Sequence, residues 1–226
     1  MTHVAAAAGP IPLAMVITPV AALAAVQAAR SWRRRHRRAA VPMSGAGAAL
    51  VAGASIFGIL AVGAAVLLVG CVLIAARLMA PPGHRAASPG LTGILAVAFG
   101  LAGAALVLLR AEAFIPVFVL LSFVQVFDAS AYLVGAGAAS AWEGPAAGVA
   151  SIAAVTLAVA AVLSPPFRGA TPWLFGLLAA ALAPVGPLAA AELVGDRRTR
   201  VPAVRRLDSL LVLGPVWALA AILSLD

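Results

Sequence analysis

Residues 91–109 read LTGILAVAFGLAGAALVLL, nineteen positions without a charge. An α-helix rises about 1.5 Å per residue and the hydrocarbon core of a bilayer is about 30 Å thick, so a run of this length makes one crossing. A barrel strand would instead alternate apolar and polar residues over about ten positions. Similar runs occur at about 10–29, 46–78, 113–135, 146–164, 172–195 and 209–225. The fold class expected is therefore all-α: a polytopic helical membrane protein with about seven transmembrane helices, within a range of six to eight. Breaks fall where punctuation residues collect, at Pro81-Pro82-Gly83, Gly144-Pro145, Ser164-Pro165-Pro166 and Val201-Pro202.

Composition agrees with this reading. Of 226 residues, 64% are hydrophobic and 10% charged, and the mean hydropathy is +1.12, far from the composition of soluble domains. The arginines of 30–38 follow the first apolar run rather than precede it, so residues 10–29 read as a membrane segment and not as a cleaved leader. One cysteine, Cys71, builds neither a disulfide framework nor a cysteine metal site. His3, His36 and His84 match no zinc spacing, and no glycine-rich phosphate loop of the soluble kinds is present.

All fifteen basic residues are arginine, against seven acids, for a net charge of +8. In a soluble chain that excess would suggest nucleic acid. Here the arginines stand between apolar runs, where a cytoplasmic loop facing anionic headgroups explains them, and no nucleic-acid partner is expected. The expected location is the cytoplasmic (inner) membrane of a bacterium.

Two connections set orientation: Arg30 to Arg38 with six arginines, and Asp196 to Asp208 with five. The positive-inside rule places both in the cytoplasm. Five runs separate them, and an odd number of crossings would put them on opposite sides. The count is expected to fail at 46–78, whose 33 residues are too many for one untilted crossing and too few for two joined by a turn. Either that run bends into two short helices or the first arginine cluster lies outside.

Ionisable groups inside a membrane are costly and default to a functional reading. Asp128 shares a helix face with Gln125 and Tyr132, three residues before and four after, so it is a candidate cation ligand whose alternative is a packing carboxylate. Glu192 is within reach of the following arginines and is explained by snorkelling. Trp142 reads as an interfacial anchor and Glu143 as a first-turn carboxylate at a helix N-terminus. Asp208 or Ser209 is placed to cap the last helix, while Arg205 and Arg206 offer planar guanidinium groups to phosphate. Gly144 and Gly148 have the spacing that lets membrane helices approach, a spacing that also arises by chance in a chain with 21 glycines.

Taken in order, these islands resemble the C-terminal half of the phosphatidate cytidylyltransferases, or CDP-diacylglycerol synthases. DASAYLVG at 128–135 resembles the family's D-x-x-A-Y-x-x-G. WEGPAAG at 142–148 is similar to the end of its S-P-x-K-T-W-x-G-x-x-G-G, and VGPLAAA at 185–191 falls where it has G-D-L-x-E-S. RLDSL at 206–210, with Pro215 beyond, resembles D-R-x-D-S-L and its following proline. The resemblance covers about residues 118–226, a cytidylyltransferase-like C-terminal region, and leaves 1–117 as N-terminal transmembrane helices.

The resemblance implies transfer of CMP from CTP to phosphatidic acid, giving CDP-diacylglycerol and pyrophosphate in phospholipid biosynthesis. It implies Mg2+ as cofactor, Asp128 and Asp208 as catalytic and metal-binding residues, and Tyr132, Trp142, Glu143, Arg206 and Ser209 on the substrates. Membrane lipid and CTP are the implied partners, with a homodimer as a candidate assembly. The sequence departs from the pattern at Pro187, Ala190 and Arg205, where the family has acids, and it lacks the lysine-bearing loop before Trp142 and most of the K-D…P-G-H-G-G stretch between 196 and 205. The alternative reading is accordingly a non-catalytic membrane subunit, a pseudoenzyme that binds lipid or a protein partner. A transporter would be expected to show inverted halves with intramembrane charge in both, and the intramembrane acids here are confined to the second half.

Overall fold

Residues 2–32, 39–80, 87–140, 142–163, 166–195 and 199–224 are described by the computed structural model, and their regular structure is entirely helical. The short α1 (Thr2–Ala8) meets α2 (Pro10–Ser31) at Gly9, whose φ of 128° suits glycine. Next come α3 (Val41–Ala54) and α4 (Ile59–Leu78), then α5 (Pro89–Glu112), α6 (Phe114–Gly135) and α7 (Glu143–Val162). The chain closes with α8 (Thr171–Leu182), α9 (Val185–Leu193) and α10 (Leu210–Ser224).

Among the described residues seven segments are long and apolar enough to cross a membrane: α2, α4, α5, α6, α7, α8 with α9, and Val204–Ser224. The expectation of a polytopic all-α membrane protein holds. The arginine cluster at 33–38, Pro81, Pro82, Gly83, His84, Ser164, Pro165 and Asp196 lie outside the described residues.

The run at 46–78 is two helices. A 3-10 turn at Ser55–Phe57 ends α3, and Gly58, at φ 94°, reverses the chain into α4. The segment Val41–Phe57 is about 25 Å long by helical rise, short for a full crossing, but it spans the bundle. A Cβ on Gly45 would lie 2.6 Å from Val26 and one on Gly53 would touch Thr18 at 4.0 Å, so α3 runs antiparallel to α2. A Cβ on Gly47 would lie 2.8 Å from Ala96 and one on Gly100 2.7 Å from Val51, so α3 runs parallel to α5. Small residues permit these approaches, and the dispersion contacts they allow are what holds membrane helices together.

Splitting this run removes the parity conflict. Six segments now separate the two arginine-rich connections, and hydrogen bonds tie their flanks together at one end of the bundle. The Trp32 Nε1–H donates to the Leu193 carbonyl at 2.9 Å, Ser31 Oγ accepts from the Gly195 N–H at 2.8 Å, and Gln27 Oε1 accepts from the Ala203 N–H at 2.9 Å. The Ala40 N–H donates to Thr92 Oγ1 at 2.9 Å, bringing the starts of α3 and α5 to the same end. Arg110 lies at the other end, where its Nε–H donates to the Ala6 carbonyl and its guanidinium sits 5.6 Å from the Phe114 ring centre. Of the described arginines, Arg30, Arg77, Arg200, Arg205 and Arg206 stand toward the first end, and Arg110 and Arg168 toward the other.

Candidate functional site

The site begins with how α6 is held. Gly144 and Gly148 of α7 are both buried, and a Cβ on Gly148 would stand 2.5 Å from Phe127 Cδ2, one on Gly144 2.7 Å from the Ala131 carbonyl oxygen. The four-residue glycine spacing is therefore used: it seats α7 against α6 on either side of Asp128. Ser151 completes the seam by donating to the Val126 carbonyl at 3.1 Å. Deeper in the bundle Trp217 of α10 packs edge-on against Phe123 and Phe175, with ring centres 5.4 and 4.6 Å away, fixing α10 between α6 and α8.

With α6 and α10 so placed, the Ser209 hydroxyl donates to Asp128 Oδ1 at 2.5 Å across 81 residues of chain. The Ser209 backbone N–H is bonded to Asp208 Oδ1 at 2.9 Å. Capping of α10 was the local account of this pair; instead the Ser209 side chain, 1% exposed, is spent on α6. The two carboxylates are close enough to repel one another, and Arg205 is close enough to Asp208 to attract it.

Ser209 is buried and Asp208 half-buried, while Asp128 is exposed on the side of α6 and outside the lining of the cavity between α9 and the segment 199–208. Seven residues of helix, roughly 10 Å, separate Asp128 from the end of α6 at Gly135, and an equal length separates Gly186 from the end of α9 at Leu193. Gly186 touches the same depth: a Cβ there would lie 2.3 Å from the Asp208 carbonyl oxygen and 2.8 Å from Ser209 Cα. Only glycine lets α9 pass this close to the start of α10.

Between α9 and the segment 199–208 lies a cavity of about 880 Å³. Pro187, Ala190, Ala191 and Val194 form one wall, at the spacing of a single helix face. Thr199, Arg200, Arg205 and Asp208 supply its polar groups. The bonds from Gln27, Ser31 and Trp32 grip both flanks of the connection that walls it, so the N-terminal half shapes a site formed by the C-terminal half.

Of the residues singled out from the sequence, Asp128, Asp208 and Ser209 converge. Arg205 and Arg206 are both exposed, and of the two Arg205 lines the cavity. Tyr132 and Trp142 are 75% and 78% exposed, away from the cavity lining. Glu143 Oε1 accepts from the Ser140 N–H at 2.9 Å, bracing the start of α7 in the manner of a first-turn carboxylate. Gln27, Ser31, Trp32, Thr199 and Arg200 escaped the sequence reading. The signal for the first two was a lone amide and a serine four residues apart near the end of an apolar run.

The donor set can be tested against a divalent cation. Among the described residues no three His, Cys, Asp or Glu side chains gather into a group. Two carboxylates and a hydroxyl do suit magnesium, which commonly takes one or two carboxylates and completes its shell with water and substrate phosphate. No protein family, curated protein or solved structure matches the chain.

Proposed function

We propose that the chain is a phosphatidate cytidylyltransferase-like membrane enzyme, transferring CMP from CTP to phosphatidic acid with release of pyrophosphate. The observation that carries this reading is the 2.5 Å bond from Ser209 to Asp128, which joins two motif islands that share no local reason to meet. Asp128 and Asp208 would hold Mg2+, whose charge would offset that of the triphosphate. Ser209 orients the Asp128 carboxylate, and the bonds from α2 hold the cavity wall in place. Positioning and electrostatics of this kind supply most of the rate in phosphoryl-group chemistry. The arginine-rich end then faces the cytoplasm, where CTP is found.

A second reading, a non-catalytic subunit that binds lipid or a protein partner, is favoured by a separate observation. Pro187, Ala190 and Arg205, the three departures from the family pattern, all line this cavity, and among the described residues Asp208 is its single acid. Reconstituted protein supplied with CTP, phosphatidic acid and Mg2+ separates the two. Formation of CDP-diacylglycerol that disappears in Asp128→Asn supports the enzyme; absence of turnover with both Mg2+ and Mn2+ leaves the second reading.

A further inference from the structure

We propose that the cavity between α9 and residues 199–208 binds the phosphate of an anionic phospholipid directly through Arg200 and Arg205, with no divalent cation between. The inference rests on the reading of this site as one that serves a phosphate-bearing lipid, and it names the groups that take the headgroup.

Three features point to it. The polar side of the cavity holds two guanidinium groups, a threonine and one carboxylate, so the balance of charge at the lining is positive. Asp208 is engaged by its bond from the Ser209 N–H and by the nearby Arg205, and among the described residues the lining holds no second acid for Arg200. Guanidinium groups meet phosphate oxygens in pairs of parallel hydrogen bonds, and they need no metal to do so.

The remainder of the lining is apolar: Pro187, Ala190, Ala191 and Val194 opposite Val201, Pro202 and Val204. An inorganic phosphate or a free nucleotide gains nothing from those walls, while the glycerol and first acyl carbons of a lipid do. Gln27 and Ser31 also fix Ala203 and Gly195, so these two points of the wall need no ordering when the headgroup enters.

The test uses the full chain in detergent with EDTA present. Binding of dioctanoyl phosphatidic acid is measured beside dioctanoyl phosphatidylcholine, inorganic phosphate and CTP. The expected result is saturable binding of phosphatidic acid alone, weakened at least tenfold in Arg200→Ala/Arg205→Ala and weakened less in Arg205→Lys, which keeps the charge and loses the fork. Arg168→Ala, at the opposite end, is expected to bind as the parent does. Unfolding temperatures close to the parent's confirm that the variants remain folded; if the double variant does not, Arg205→Lys and Arg200→Ala singly provide the comparison.

Binding that appears only with Mg2+, or that survives the double substitution, overturns the proposal. Equal binding of inorganic phosphate or CTP overturns the choice of a lipid. The two readings of the site fail separately: chelator-resistant lipid binding without CDP-diacylglycerol formation removes the enzyme alone, while turnover without chelator-resistant binding removes this inference alone.

Discussion

The Ser209 hydroxyl and the Asp128 carboxylate, 81 residues apart in sequence, are 2.5 Å apart in the folded chain. Ser209 is buried among α6, α9 and α10, so its hydroxyl has no water to turn to and the bond ties the start of α10 to α6.

Ser209→Ala and Asp128→Asn therefore separate two roles. The alanine leaves the carboxylate without its donor and is expected to cost about 1 kcal/mol, near the upper part of the range for side-chain bonds between membrane helices. Asparagine keeps an acceptor oxygen for Ser209 and loses only the charge. Asp128→Asn should unfold within about 0.5 kcal/mol of the parent while reducing cytidylyl transfer at least about tenfold, as loss of a metal-site group does. Thermal unfolding in detergent and turnover in liposomes read the two effects.

Gly186→Ala tests the close passage of α9 over α10. The new Cβ would stand 2.3 Å from the Asp208 carbonyl oxygen, a backbone atom that cannot rotate aside. Overpacking of this kind costs about 1–3 kcal/mol, and the site shifts with it, so both unfolding temperature and turnover should fall. Gly63→Ala in α4, with open space around the added carbon, is expected to be neutral or to stabilise slightly.

Most of the fold could be read from residue pattern because the solvent is hydrocarbon: a run of about twenty apolar residues has few alternatives to a crossing helix. The failure at 46–78 has a local cause. The reversal is made by Gly58, one of three described glycines with a positive φ, and in a chain with 21 glycines nothing in the sequence marks which these are. Charge parity did locate the error, since two arginine-rich connections on one side demand an even number of crossings between them. A second break, at Ala183 and Pro184 between α8 and α9, was hidden inside the run 172–195 for the same reason: the residues that make it are apolar.

At the site, Asp128 could be found because a carboxylate in an apolar run has to be explained. Its partner could not be found locally. Ser209 beside Asp208 at the start of a helix has a sufficient explanation as a cap, and only the packing of α10 shows that the hydroxyl points elsewhere. Gln27 and Ser31 were passed over because their partners are backbone N–H groups some 160 to 180 residues away, which no spacing reveals. Arg205 and Arg206 are adjacent and chemically alike; which of them faces the cavity depends on the 3-10 turn at Val204–Arg206.

Topology gives a third expectation. In a background with Cys71→Ser, cysteines at Arg30 and Arg200 should react with a membrane-impermeant maleimide from the same side, and one at Glu112 from the other. Labelling of Arg30→Cys and Arg200→Cys from opposite sides would mean that α3 and α4 do not form a reversing pair, and the hydrogen bonds between Ser31 and Gly195 and between Gln27 and Ala203 could not exist.

The meeting of α6 with the start of α10 at Asp128 and Ser209 underlies the proposed site, and a cross-link between them measures it most directly. Asp128→Cys/Ser209→Cys, in the same Cys71→Ser background, is treated in membranes with a short bifunctional thiosulfonate and then cleaved by protease at a site introduced between α7 and α8. The expected result is two fragments that stay joined until the bridge is reduced. Fragments that separate without reduction, under conditions where Gln27→Cys/Ala203→Cys in its own copy with a site between α4 and α5 remains joined, would contradict it.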